Sequence, residues 1–130
     1  MRAEKLTPNL VVVDVAAAIE FYRSVLGFQT AFTVPDNPPY VFASVSSGSV
    51  ELFFNDKEAV GADYPSLAAR PIGGALTLFL EIDGIEEALA AVQKSGSKIV
   101  MPLKTQFYGM REFAFEDPEG WLVTIAERVK

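Results

Sequence analysis

Any chemistry in this chain is done without histidine and without cysteine, since neither occurs among its 130 residues. Disulfides, thiolate nucleophiles and cysteine-based metal sites are therefore excluded, and so is the usual general base near neutral pH. What remains are carboxylates, arginines, hydroxyls and amides, with ten Phe, four Tyr and one Trp. Glu51 stands out because it lies in Ser49-Val50-Glu51-Leu52-Phe53-Phe54. That run reads as an internal strand, where an unpaired charge is costly. Several fates are open to it: satisfaction by neighbouring donors, pairing with Arg111, facing water in an open concavity, or meeting a cationic ligand. It is also a candidate general acid or base, protonated because its pKa is raised. Arg111 either serves a ligand or ties its own hairpin to a neighbour. Phe32, Tyr40, Phe42, Phe53, Phe107 and Tyr108 are core packing or faces on which planar and cationic ligands stack.

The totals narrow the partners. Eleven basic against seventeen acidic residues give a net charge of −6. A phosphate backbone needs concentrated Lys and Arg, so nucleic acid is not expected. Cationic ligands suit this balance, though only weakly. Half of the chain is apolar, which argues for a folded protein, and its length suits one domain with a substantial core. No segment approaches the ~20 apolar residues of a membrane span. Met1-Arg2-Ala3-Glu4-Lys5 leads into a strand rather than a signal-peptide apolar core. The expectation is a soluble cytoplasmic protein with no membrane partner.

The elements that would position these side chains come in a repeated order. Residues 6–13 read as a strand, Asp14 as a helix N-cap, and Val15, Ala18, Ile19, Tyr22, Val25 and Leu26 as a helical stripe closed by Gly27. Residues 28–34, 40–45 and 49–54 read as strands, with Pro35-Asp36-Asn37-Pro38-Pro39 a loop. Residues 55–74, polar and small, read as a mobile linker. The order then restarts. Residues 76–82 are a predicted strand, Asp83 a cap, and Ile85, Ala88, Leu89 and Val92 a stripe ended by Gly96. Residues 98–103 follow as a strand, and a hairpin closes the chain. In that hairpin Asp117-Pro118-Glu119-Gly120 has turn chemistry between runs rich in aromatic and β-branched residues. Both halves read β-α-β-β-β, giving module 1 (6–54), a linker (55–74) and module 2 (75–130) of one domain. Asp14 to Gly27 and Asp83 to Gly96 each span 13 positions, so the halves are offset by 69 residues at both landmarks. One mismatch remains: the stripe starts one residue after the first Asp and two after the second.

Thr7-Pro8-Asn9-Leu10-Val11-Val12-Val13-Asp14, then Ala18-Ile19-Glu20-Phe21-Tyr22 and Val25-Leu26-Gly27-Phe28, resemble the opening of the vicinal-oxygen-chelate superfamily. That group comprises glyoxalase I, the extradiol dioxygenases and the bleomycin resistance proteins. The ending, Tyr108-Gly109-Met110-Arg111-Glu112-Phe113 with Asp117-Pro118-Glu119-Gly120, looks most like the bleomycin-resistance branch. The resemblance covers nearly the whole chain. It implies an α+β fold of two βαβββ modules whose curled mixed sheets form a cup, commonly assembled as a homodimer. In metal-using members four side chains, two per module and typically His, Glu or Gln, hold a divalent ion in that cup.

Matched by motif, those four positions are Thr7, Glu51, Leu76 and Thr124, and only Glu51 is a strong ligand. A transition-metal site needs about three protein donors, so no metal and no cofactor are expected. If Thr7 faces the cup, strand alternation turns Asn9 and Val11 the same way. Ser49 and Phe53 go with Glu51, and Leu122 and Ala126 with Thr124; Trp121, Val123 and Ile125 then face the helix. The candidate ligand-binding residues are Thr7, Asn9, Phe42, Glu51, Phe53, Tyr108, Arg111 and Thr124. Tyr108 is included because Tyr-Gly at the head of a strand resembles the aromatic-Gly pair lining the drug groove of resistance proteins. Glu51 is the catalytic candidate, if there is one. The expected function is metal-free binding and sequestration of a small organic compound, aromatic or cationic, in a dimeric cup. The alternative is a glyoxalase-like lyase or isomerase, or a dioxygenase, with an atypical active site. A third reading is an interaction module whose cup takes a partner's peptide.

Overall fold

Twice along the chain a strand is followed by a helix and then by three more strands. A computed structural model describes residues 1–130, and the α+β chain divides into two units, Met1–Arg70 and Pro71–Lys130. The first contains β1 (Asn9–Val12), α1 (Val15–Leu26), β2 (Gln29–Val34), β3 (Phe42–Ser47) and β4 (Val50–Asp56), then short helices α2 (Lys57–Asp63) and α3 (Pro65–Ala68). The second contains β5 (Thr77–Glu81), α4 (Ile85–Lys94), β6 (Ile99–Thr105), β7 (Met110–Glu116) and β8 (Leu122–Arg128). Each unit has one four-stranded mixed sheet, ordered β1-β4-β3-β2 and β5-β8-β7-β6. In both, the first strand runs parallel to the last, and the remaining pairs are antiparallel.

In the first unit α1 starts where expected. The Asp14 carboxylate accepts from the Ala17 amide at 3.0 Å, and Gly27 ends the helix in the left-handed region at φ 73°, which glycine adopts without steric cost. The helix buries Val15, Ala18, Phe21 and Tyr22. The sheet contributes buried Leu10, Val12, Ala43, Val45, Leu52 and Phe54. Tyr22 sits among aromatics, its ring 5.8 Å from Phe28 and 5.3 Å from Phe54. Each fully buried side chain of this size contributes about 1.5–3 kcal/mol.

The second unit repeats the plan with a different start to its helix. Its N-cap is Gly84, at φ 98° and with no side-chain cap, while Asp83 is exposed. The cap expected at Asp83 is therefore displaced by one residue. Gly84 donates its N–H to the Glu127 carboxylate at 2.5 Å, so an acceptor on β8 takes a neighbouring amide that a capping side chain does not reach. The helices begin at Val15 and Ile85, 70 residues apart rather than 69. That accounts for the mismatched stripes. Ile85, Ala88 and Val92 of α4 are buried, as are Phe113, Phe115, Val123 and Ile125 of the sheet it packs on.

The first strand is shorter than its apolar run, because residues 6–8 lie outside it. Residues 55–74 are not the featureless linker expected. Asp56 caps α2 by accepting from the Ala59 amide at 3.1 Å, Val60 is buried, and Pro65 occupies the first turn of α3, where its missing N–H is harmless. The closing hairpin forms as read. Asp117 Oδ1 accepts from the amides of Glu119 and Trp121, each at 2.9 Å. No helix is long and apolar enough to cross a membrane.

Candidate functional site

Strand alternation gives each sheet one face toward its helix and one away from it, and the ladder register carries each face across the strands. In the first unit the face opposite α1 has Asn9, Phe53, Ser44 and Phe32 in one rank and Val11, Asn55, Phe42 and Val34 in the next. The Phe42 ring lies 5.5 Å from Phe32 and 5.0 Å from Phe53. The three rings form an aromatic strip across β2, β3 and β4, with Phe32 53% exposed. The Asn55 amide donates to the Asn9 carbonyl oxygen, tying β4 to β1.

Glu51 is on the same face, one rank along from Phe53. One carboxylate oxygen accepts from the Ser44 hydroxyl at 2.6 Å, and the other pairs with the Lys5 ammonium. Of the fates open to Glu51, the structure picks neighbouring donors, while Arg111 has its own partner, Glu86, within the second unit. Hydrogen bonding from Lys5, then from Ser44, holds its carboxyl below the usual range. Glu51 is thus ionised at neutral pH, and the raised pKa needed for a protonated acid is not found. Thr7, half-buried, lies two residues before Asn9.

In the second unit the face opposite α4 has Phe79, Thr124, Ala114 and Met101 in one rank and Glu81, Ala126, Glu112 and Lys104 in another. The Thr124 hydroxyl lies 2.7 Å from that of Thr77, joining β8 to β5 as the Asn pair joins β4 to β1. The hydroxyl pair corrects Leu76. It precedes β5 and is exposed, and Thr77 is the residue that meets Thr124. The 70-residue offset of the helices makes Thr77 the counterpart of Thr7.

Arg111 is also placed differently from the expectation. It shares its face with Phe113 and Phe115, toward α4, and pairs with Glu86 of that helix at 2.5 Å. Its guanidinium holds the Glu86 carboxyl below the usual range. The residue turned to the Thr124 side is its neighbour Glu112, only 3% exposed. The Tyr108 hydroxyl donates to Glu112 Oε2 at 2.7 Å, and the Gln106 amide reaches Oε1 at 3.5 Å. The bond to Glu112, with burial second, raises the Tyr108 phenol above its ordinary pKa. Glu112 is not among the residues expected at the site, although its signal is in the sequence. In Arg111-Glu112-Phe113-Ala114-Phe115 the large apolar residues take the odd positions and claim the helix side. Trp121 is half-buried just ahead of β8.

Residues 6–125 match the family model of the Glyoxalase/Bleomycin resistance protein/Dioxygenase superfamily. The chain belongs to that superfamily. Among solved structures, TioX from Micromonospora sp. ML1 is similar with a TM-score of 0.78 at 19% identity, over 98% of this chain and 100% of that one. A superfamily enzyme from Burkholderia phytofirmans PsJN is similar with a TM-score of 0.79 at 21% identity, over 95% and 97%. An uncharacterised protein of Mycobacterium bovis is 24% identical over 127 residues, covering 96% of this chain and 84% of that protein. The two structural likenesses concern the fold.

The divalent ion of the superfamily's metal-using members does not fit the residues present. Glu51 is engaged by Lys5 and Ser44, the hydroxyls of Thr77 and Thr124 bond each other, and Leu76 has no donor. Neither unit gathers three Asp or Glu side chains that could hold a metal. Three protein donors are the usual minimum for a transition ion.

Proposed function

We propose that this superfamily member binds and sequesters a small organic compound, aromatic or cationic and of antibiotic kind, without a metal. The compound is held in a cup completed by homodimerisation, in the cytoplasm. The observation that carries this reading is the aromatic strip of Phe32, Phe42 and Phe53 on the face opposite α1, beside the ionised Glu51. Ring faces supply area for a planar ligand, and a few polar groups fix its orientation. The matched metal positions, poor in donors, point the same way. Exposed Phe32, Val34 and Val41 add apolar surface of the kind that ligands or subunits cover.

The test is thermal stabilisation across a panel of antibiotics and aromatic metabolites, with and without chelator. At least one compound is expected to raise Tm by several degrees in both conditions, and Phe42→Ala is expected to abolish the shift. No shift for any compound, in a well-folded protein that light scattering finds dimeric, overturns the reading. A strict monomer at micromolar concentration removes its shared cup.

A second reading, a glyoxalase-type lyase or isomerase or a dioxygenase, is favoured by the buried Glu112, a carboxylate with a phenol at 2.7 Å. A buried carboxylate hydrogen-bonded to a phenol has the donor and acceptor that proton transfer to a bound substrate needs. Elemental analysis separates the two readings. Stoichiometric Ni, Zn or Fe in the purified protein supports the enzyme and overturns the metal-free binder.

A further inference from the structure

Glu112 presents a physical problem that its own surroundings leave unsolved. A carboxylate at 3% exposure is costly unless a cation or several hydrogen bonds offset its lost hydration. Its neutral donors are two. Oε2 has a good bond from the Tyr108 hydroxyl at 2.7 Å, while Oε1 has only the Gln106 amide at 3.5 Å, the outer edge of a hydrogen bond. A carboxylate accepts about four hydrogen bonds, so acceptor capacity is left over.

No positive charge closes the gap. Arg111, next in the chain, is turned to the other face and committed to Glu86. Lys104 is the cross-strand partner of Glu112 on β6, yet it is exposed and forms no ion pair with it. The contrast with Glu51, which has both a lysine and a serine, is direct.

The turn above Glu112 adds a second observation. Gln106 donates its backbone N–H to the Met110 carbonyl at 2.7 Å, Gly109 donates to the Gln106 carbonyl at 3.1 Å, and Gly109 takes φ 86°. This tight turn brings the side chains of both Gln106 and Tyr108 onto Glu112. It also leaves the Phe107 ring 98% exposed, edge-on to Tyr108 with centroids 5.0 Å apart, and Tyr108 itself 48% exposed. A phenylalanine in full solvent beside a half-exposed tyrosine, both leading to a carboxylate without a cation, is the composition of an organic-cation site.

We infer that Glu112, beneath the Phe107–Tyr108 pair, is the recognition carboxylate for an organic ammonium or amidinium group. The inference rests on the ligand-binding reading above and narrows its ligand class from aromatic or cationic to cationic. The ligand's N–H donates to Oε1, its charge offsets the buried carboxylate, and the two rings flank its apolar part. Tyr108 swings aside to admit it, since Glu112 is closed to solvent while the Tyr108 hydroxyl is bonded. A neutral aromatic gains only the ring contacts, and an anion is repelled.

The experiment uses the full chain, labelled with nitrogen-15 and titrated at neutral pH with benzylamine and with its neutral counterpart benzyl alcohol. Benzylamine is expected to shift the amide signals of Gln106, Tyr108 and Glu112. It should bind more tightly than the alcohol by about tenfold or more, the scale of one charge-assisted hydrogen bond. Glu112→Gln, close in shape, should erase that preference, and Phe107→Ala should weaken both probes together. Equal affinities, shifts that map outside residues 106–112, or no binding of benzylamine each overturn the inference, on wild-type protein alone. Equal binding mapped to Phe32, Phe42 and Phe53 would leave the aromatic binder standing. Failure of the whole antibiotic and metabolite panel removes both.

Discussion

The two units share one plan and differ in what the face opposite their helix carries. In Met1–Arg70 that face holds three rings in a strip and a carboxylate satisfied by a lysine and a serine. In Pro71–Lys130 it holds a hydroxyl pair and a buried carboxylate whose donors are a phenol and a distant amide. The helix-facing sides are both apolar throughout: Val15, Ala18, Phe21 and Tyr22 of α1 and Ile85, Ala88 and Val92 of α4 pack on sheet faces of Phe, Val and other aliphatic side chains. The repeated plan thus keeps the packing side apolar in both units while the opposite faces differ, as expected where only one face answers to packing.

The sharpest way to break this comparison is to truncate adjacent residues of β4 that face opposite ways. Phe54→Ala is expected to cost about 3–5 kcal/mol and Phe53→Ala no more than about half of that, measured by urea denaturation. Phe115→Ala, fully buried in the second unit, should match Phe54→Ala. Equal costs at Phe53 and Phe54 would make the aromatic strip core rather than binding surface.

A smaller effect separates the helix starts. Asp14→Ala should cost about 1 kcal/mol by removing the cap on α1. Asp83→Ala should stay within about 0.5 kcal/mol, because Asp83 is exposed and Gly84 holds the cap position. A large loss at Asp83 would restore the symmetric reading of the two helices.

The smallest effect is electrostatic, and its sign differs between units. Glu51 is held low by Lys5 and Ser44. Its contribution is therefore present above the ordinary carboxylate pKa of about 4.3 and is lost as pH falls through the lowered folded value. Carbon-13 titration should show the Glu51 carboxyl returning toward its ordinary value in Lys5→Met. Tyr108 is raised by Glu112, so its contribution is present below about pH 10 and is lost as pH rises through the folded value. Ultraviolet titration of the phenol should show that rise relieved in Glu112→Gln. An unmoved Glu51 carboxyl in the first variant, or an unmoved phenol in the second, removes the cause assigned here.

The helical stripes, the Asp14 cap, the Gly27 and Gly96 stops and the closing hairpin were legible because each depends on neighbours a few residues away. Asp83 misled because a capping residue type stood one place too early. The correct start was visible only in the stripe, and the competing acceptor, Glu127, lies 43 residues on. The helices α2 and α3 hid within a polar, Pro-containing stretch whose length is too short for a periodic signal. Of the candidate site, Asn9, Phe42, Glu51, Phe53 and Thr124 lie on the sheet faces opposite the helices, as strand alternation indicated for four of them; Phe42 was an aromatic of unassigned face. Arg111 and Glu112 take each other's expected faces, because alternation counted back through the hairpin from Thr124 to its partner Ala114 puts Glu112, not Arg111, on that side.

In both sheets the strand that comes last in the motif is not at the rim but second in order, between the opening strand and the hairpin. Neither opening strand has a hydrogen-bonded neighbour until that final segment has been synthesised. Residue 56 closes the first sheet, so its full complement of strands is present in the chain before β5 begins. The second must wait for β8, whose arrival also supplies the acceptor for Gly84 and so completes the start of a helix translated some forty residues earlier.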